Sequence, residues 1–186
     1  FVPFFNPGEN IPWNRVVKMM REQTNLAEQG DFTTVWLTEH HFAHNGYLNA
    51  PPNPIMMSLD LASHSKKIRV GQAPIVLPDW HPLRVAEDVA LLDNMTEGRV
   101  DFGVAKGINE RVTLQFNKEA DRRDNEKSYR LFMESLEVIL KAWTQDPFKH
   151  KGEFYEFPVP GWKETNRFLM PLEKEYHSED DEYTGM

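Results

Sequence analysis

Segments with strand signals alternate with segments with helix signals along this chain, and that order limits the possible folds more than any other feature. The predicted strands are short apolar runs, and the predicted helices repeat apolar residues every three or four positions. The predicted strands span residues 1–5, 32–37, 68–77 and 99–105, and the predicted helices span residues 13–29, 54–67, 83–95 and 129–143. Parallel strands need a crossover connection, which a helix supplies. The order therefore predicts an α/β fold with a parallel sheet.

A parallel sheet is either open and doubly wound or closed into a barrel. A doubly wound dinucleotide-binding unit carries Gly-x-Gly-x-x-Gly directly after its first strand. The turn after the first predicted strand reads Asn6-Pro7-Gly8 and lacks this pattern. Dinucleotide binding of that kind is therefore not expected.

Composition narrows the class of protein. The 186 residues, 40% of them hydrophobic, suffice for one core, so a single domain is expected. A net charge of -8, from 29 acidic and 21 basic residues, argues against nucleic acid as the main partner. The chain has no cysteine, which excludes disulfides and cysteine-bound metals, and it has no apolar run of about 20 residues to span a membrane. We expect a cytoplasmic protein.

The segment from Trp36 to Phe42 joins a predicted strand to a cluster of titratable groups. The apolar part ends at Glu39, His40 and His41. The ends of parallel strands carry the active sites of α/β barrels, and histidine titrates nearest neutrality. Successive side chains on a strand point to opposite faces, so we expect one histidine in a site and the other in a structural role. The segment lacks the His-Glu-x-x-His spacing of a helical metal site, so no metal site is predicted.

Several stretches of the sequence resemble the bacterial luciferase-like flavin-dependent monooxygenases in order and spacing. The matching stretches are residues 36–42 (WLTEHHF), 69–78 (RVGQAPIVLP), 81–89 (HPLRVAEDV) and 91–107 (LLDNMTEGRVDFGVAKG). Residues 152–155 (GEFY) resemble the hairpin that follows the fourth helix of that family. Each stretch alone is weak, but four in register make the resemblance strong.

The resemblance implies a TIM-barrel-like fold that binds reduced FMN, or in some branches the deazaflavin F420, at the carboxyl ends of its strands. With O2 the family oxygenates an aldehyde, a ketone or a similar small substrate, and a separate flavin reductase supplies the reduced cofactor. A homodimer is implied as well. The catalytic luciferase subunit has cysteine where this chain has Ala105, so light emission is not expected. The alternatives are an F420-dependent oxidoreductase on the same scaffold and a non-catalytic flavin-binding or interaction fragment.

The resemblance also assigns the residues of the site. It assigns His40 as the catalytic residue, and Glu39, Gln72, Ala73, Pro74 and Lys106 as cofactor-binding residues. His40 matches a histidine beside the flavin ring, where it exchanges protons. Residues 72–74 match the strand beneath the ring, where the family has a cis peptide that an X-Pro bond adopts readily. Lys106 is expected to point at the flavin phosphate, and Glu39 either to orient an imidazole or to cap a loop.

Residues 1–166 are predicted to form one luciferase-like βα domain, and residues 167–186 an acidic, disordered tail. A closed barrel of this type has eight strands and about 250 residues. The predicted βα units amount to half of such a barrel. The sequence therefore predicts the first half of a flavin site.

Overall fold

The computed structural model describes residues 11–42 and 50–160. Within these residues the helices are α1 Trp13–Gln29, α2 Pro54–Ser63, α3 Pro82–Met95, α4 Glu110–Phe116 and α5 Asn125–Thr144. The strands are β1 Thr34–Leu37, β2 Arg69–Gln72, β3 Ile75–Val76, β4 Val100–Asp101, β5 Val104–Ala105, β6 His150–Lys151 and β7 Glu156–Phe157. Short 3₁₀ turns cover Leu77–Asp79 and Lys118–Ala120. The predicted first strand and the predicted acidic tail lie outside these residues. No helix in the described part of the chain is long and apolar enough to cross a membrane.

The main strands pair in parallel, as the sequence predicts. β1, β2 and β4 form one sheet in that order, with Val35 opposite Val70 and Val70 opposite Val100. β3 pairs in parallel with β5. β6 and β7 form an antiparallel hairpin, and residues 152–155 make its turn. The carboxyl ends of parallel strands meet at one end of a sheet, so the segments that follow β1, β3 and β5 come together there.

Two predicted strands are each broken into two short strands, which corrects the sequence prediction. The predicted third strand becomes β2 and β3, separated by the Ala73–Pro74 peptide, which is cis as the family resemblance implies. The predicted fourth strand becomes β4 and β5, with Gly103 between them. A Cβ atom at Gly103 would lie 2.1 Å from the carbonyl oxygen of Gln72, so the two backbones touch. The N–H of Ile75 donates to the carbonyl of Gly103 at 2.8 Å, which restarts the pairing beyond the break.

Helices cover one face of the first sheet. Val35 and Leu37 are buried on that face, in a core cluster that also contains Val16 of α1. A second cluster packs α3 and α5 against β3 and the hairpin. Side chains alternate along a strand, so Trp36 lies on the opposite face, where its ring covers Gly71 and is 43% exposed. The sheet therefore has one face covered by helices and one partly exposed face.

Local capping sets the ends of the helices. α1 has the predicted bounds. α5 begins four residues before its predicted start, because the carboxylate of Asp124 accepts a hydrogen bond from the N–H of Lys127 at 2.9 Å. The sequence does not predict α4, whose first turn is capped by the side chain of Asn109.

Three residues that apolar periodicity places on buried faces are exposed, which corrects the predicted core. Leu26 is 65% exposed, Met56 70% and Leu140 47%. The helices therefore bury narrower stripes than the periodicity predicts. The buried stripe of α1 consists of Val16, Met20 and Thr24.

Candidate functional site

A cleft of about 600 Å³ lies at the carboxyl ends of the parallel strands. This size is typical of small-molecule sites. The cleft is lined by residues 38–41 after β1, by Pro74, Val76 and Asp79 around β3, and by residues 105–110, Val112, Thr113 and Arg122 after β5. Segments after β1, around β3 and after β5 therefore contribute to one cleft.

Glu39 is the buried centre of one wall of the cleft. Its residue surface is only 5% exposed. One carboxylate oxygen, Oε2, accepts the backbone N–H of Val76 at 2.9 Å, and Oε1 accepts the indole N–H of Trp80 at 2.9 Å. Oε1 also lies 2.8 Å from Nε2 of His41. Glu39 thus contacts an imidazole and holds the backbone of β3 and the indole of Trp80.

The two histidines have different surroundings. His41 is held by Glu39 and packs against the ring of Phe116 from α4, with centroids 4.7 Å apart. His40 lines the cleft, and its backbone N–H donates to the carbonyl of Pro51 at 3.4 Å. Glu39 therefore contacts His41, which is the neighbour of the predicted catalytic residue His40.

The segment between β2 and β3 meets the cleft only through Pro74. The Gln72 side chain is fully buried and donates to the hydroxyl of Ser58 at 2.8 Å, on the side of the strand that faces α2. Ala73 is exposed and does not line the cleft. The side chains of these two predicted cofactor-binding residues are thus outside the cleft.

Two cations line the segment after β5. Nζ of Lys106 donates to the side-chain oxygen of Asn125, the first residue of α5, at 2.6 Å. The guanidinium of Arg122 donates to the carbonyl of Gly107. Gly107 has φ of 79°, and a Cβ atom there would lie 2.7 Å from a methyl carbon of Val76. A residue without a side chain is therefore needed where the chain turns past β3.

Asp79 is a buried acid of the cleft with a raised pKa. Burial, reinforced by the nearby charge of Glu39 and opposed by His41, raises the pKa of Asp79 to about 7. Polar atoms of Glu39, His41 and Asp79 all lie within 4.8 Å of one another. Acids with strongly shifted pKa values cluster in functional sites, and structural networks shift pKa values as well.

Asp79, Trp80 and Arg122 also belong to this site, and no sequence motif identifies them. Asp79 has the same sequence signal as Glu39, because each is a carboxylate at the end of an apolar strand. For Asp79, the strand is closed by Pro78. Arg122 lies in a charged run with no motif, so only the fold brings it to the cleft.

The comparison with known proteins identifies the family. The luciferase-like monooxygenase family matches residues 1–172, and the chain belongs to this family. The oxygenase component of a flavin-dependent trigonelline monooxygenase from Acinetobacter baylyi is 30% identical over 139 residues, which cover 75% of this chain and 37% of that protein. The alkanal monooxygenase alpha chain of the Kryptophanaron alfredi symbiont is 33% identical over 158 residues, which cover 85% of this chain and 42% of that protein.

Solved structures confirm the predicted fold. The oxygenating constituent of 3,6-diketocamphane monooxygenase from Pseudomonas putida, in complex with FMN, superposes with a TM-score of 0.71 at 22% identity. The superposition covers 84% of this chain and 41% of that chain. The chain therefore has the α/β luciferase-like fold with part of the barrel, and it spans about two fifths of the length of the relatives named above.

Proposed function

We propose that the chain supplies the first half of the active site of a flavin-dependent monooxygenase, which uses reduced FMN and O2 to oxidise a small organic substrate such as an aldehyde or a ketone. The observation that carries the proposal is the single cleft that His40 after β1, Pro74 between β2 and β3, and Lys106 after β5 line together. Membership of the luciferase-like monooxygenase family supports this reaction class.

The chemistry of the cleft fits a flavin phosphate ester. Pro74, Val76 and Ala105 provide apolar surface for a planar ring, and Lys106 and Arg122 provide positive charge for a phosphate. The hydroxyl of Thr38 also lines the cleft, and no group among the described residues forms a hydrogen bond with its buried oxygen. A bound ligand can supply the missing hydrogen bond, so this hydroxyl is available to bind a polar group of the ligand.

Each residue has a separate task in this proposal. Reduced flavin, when bound, supplies the electrons with which O2 is activated. Lys106 attracts the phosphate as a point charge, since Asn125 holds its ammonium at the start of α5. The apolar walls exclude water, and His40 holds or releases a proton at the ring and substrate. Glu39 acts through His41 and the β3 backbone rather than on the ligand.

Partners follow from the same proposal. A separate flavin reductase supplies reduced FMN, which is supported by the description of the Acinetobacter relative as an oxygenase component. The rest of the barrel supplies the loops that select the substrate. We also propose a homodimer, as the family resemblance implies.

Flavin titration tests the proposal. FMN and riboflavin are titrated into the chain and into Lys106→Ala, with fluorescence quenching as the readout. Loss of a charge-assisted contact costs about 1.5–3 kcal/mol, so we expect Lys106→Ala to weaken FMN about tenfold to a hundredfold and riboflavin hardly at all. Lys18→Ala on α1 is the matched control, since its side chain is 76% exposed and lies outside the cleft. His40→Ala should retain FMN and lose turnover in the presence of a reductase. An absence of flavin binding at micromolar concentration would refute the proposal, and binding of F420 without FMN would favour the F420-dependent alternative.

A further inference from the structure

Three side chains of the kind that bind metal ions meet in one wall of the cleft. Glu39, His41 and Asp79 each offer one ligand atom, and these three atoms lie within 4.8 Å of one another. Glu39 and His41 follow β1, whereas Asp79 ends the 3₁₀ turn after β3. The ligands come from separate segments of the chain, so no local spacing in the sequence predicts a metal site there. Only the fold brings them together.

Asp79 is the ligand that lacks a partner. Both of its carboxylate oxygens are buried, and no donor within residues 11–42 or 50–160 reaches either of them. A buried polar group without a hydrogen bond is costly, and buried charges in proteins are paired or coordinate metals. The negative charge of Glu39 makes a second anion at Asp79 more costly still. A divalent cation between the two carboxylates would remove both penalties.

Glu39 and His41 are held in place by contacts of their own. The buried Glu39 carboxylate accepts the backbone N–H of Val76 and the indole N–H of Trp80, each at 2.9 Å. The ring of His41 packs against the ring of Phe116, with centroids 4.7 Å apart. Hydrogen bonds and apolar contacts of this kind orient the ligands of metal sites in proteins. Two of the three ligands are therefore preorganised.

The separations between the ligand atoms suit one small ion. Zn²⁺ binds imidazole nitrogen and carboxylate oxygen at about 2.0–2.2 Å, so two ligands of a tetrahedral ion lie about 3.4 Å apart. Oε1 of Glu39 and Nε2 of His41 are 2.8 Å apart with a proton between them, and the ion would replace that proton. Asp79 has to approach by no more than about 1.4 Å, a movement that breaks no hydrogen bond of its carboxylate within the described part of the chain.

We propose that Glu39, His41 and Asp79 form a binding site for a divalent transition-metal ion such as Zn²⁺. An imidazole ligand favours such ions over Mg²⁺ and Ca²⁺, which prefer oxygen ligands. The two carboxylates balance the charge of the ion. All three residues line the cleft, so the remaining coordination positions face its interior, where water or a polar group of a bound molecule occupies them. The site does not depend on flavin binding.

Zinc titration of the tag-free, chelator-treated chain tests this site. Isothermal titration calorimetry measures stoichiometry and affinity in the wild type, in Asp79→Asn and in His41→Gln. We expect one tightly bound ion per chain, and we expect each of these two substitutions to weaken binding by at least about a hundredfold. Trp80→Phe keeps an aromatic ring but removes the N–H that orients Glu39, so it should weaken binding by about tenfold to a hundredfold.

His64→Gln is the matched control. His64 directly follows α2, outside the cleft, and forms an exposed pair with Asp60 at 3.7 Å. Removing this imidazole should change neither the stoichiometry nor the affinity. Equal zinc affinities in the wild type, Asp79→Asn and His41→Gln would overturn the proposal.

A spectroscopic measurement on the wild type decides the question if a variant does not fold. Co²⁺ replaces Zn²⁺, and we expect visible absorption bands of a protein-bound ion with an imidazole ligand. A spectrum equal to that of Co²⁺ in buffer would overturn the site. These measurements contain no flavin, so their outcome is separate from the outcome of the FMN titration.

Discussion

Gly103 is the residue at which the fold tolerates a side chain least. A Cβ atom there would lie 2.1 Å from the carbonyl oxygen of Gln72, whereas ordinary van der Waals contacts begin at 3.4 Å. The obstacle is backbone, so no rotamer change relieves it, and β2 must separate from the β4–β5 segment by more than 1 Å. We expect Gly103→Ala to cost at least about 3 kcal/mol, the upper end of overpacking penalties, which is more than a hundredfold in the folding equilibrium.

Urea unfolding followed by far-ultraviolet circular dichroism measures this cost. Gly98→Ala is the matched control, because Gly98 has φ of 79° and no atom within 4 Å of a built Cβ. Gly98→Ala should therefore lose only the free energy of placing alanine in a left-handed conformation, about 1–2 kcal/mol. A loss in Gly103→Ala no larger than the loss in Gly98→Ala would show that the close approach of the two backbones is not a constraint.

Two further predictions concern ionised side chains. Glu134 accepts backbone N–H groups of Glu153, Phe154 and Tyr155, so Glu134→Ala should destabilise the chain by about 2–4 kcal/mol, and a change below about 0.5 kcal/mol in urea titration would contradict this role. Hydrogen bonds from Arg21 hold the pKa of Asp60 below its ordinary 3.8, so the stabilisation from this pair is complete above that value and is lost as the pH falls through the lowered pKa. The difference in unfolding free energy between the wild type and Asp60→Asn should therefore shrink on acidification, and a constant difference from about pH 7 to pH 2 would refute the linkage.

Local signals predict the elements well where one residue type decides the conformation. Apolar spacing and Gly30 give the bounds of α1, and Pro54 gives the start of α2. The breaks within the predicted third and fourth strands arise from a contact between Gln72 and Gly103, which are 31 positions apart. α4 has seven residues, too few for an apolar repeat, so its only local signal is the cap Asn109.

The residues of the site also divide into those that local sequence signals predict and those that only the fold brings together. Residues 38–41, Pro74 and Lys106 are found from strand ends and family resemblance, and the fold brings them into one cleft. Glu39 is bound by Trp80, which is 41 residues away, and Arg122 contacts the cleft through the carbonyl of Gly107, 15 residues away. Hydrogen-bond partners of this kind are set by tertiary packing, which one sequence does not display.

The contact between Trp36 and Gly71 limits which substitutions these two positions can accept during evolution. A Cβ atom at position 71 would lie 2.5 Å from the indole ring, so one large ring occupies the space that side chains from two strands would otherwise share. A larger residue at position 71 is accessible only after the ring at position 36 has been replaced by something smaller. The two positions should therefore change as a pair, and the intermediate with both large residues is the one selection removes.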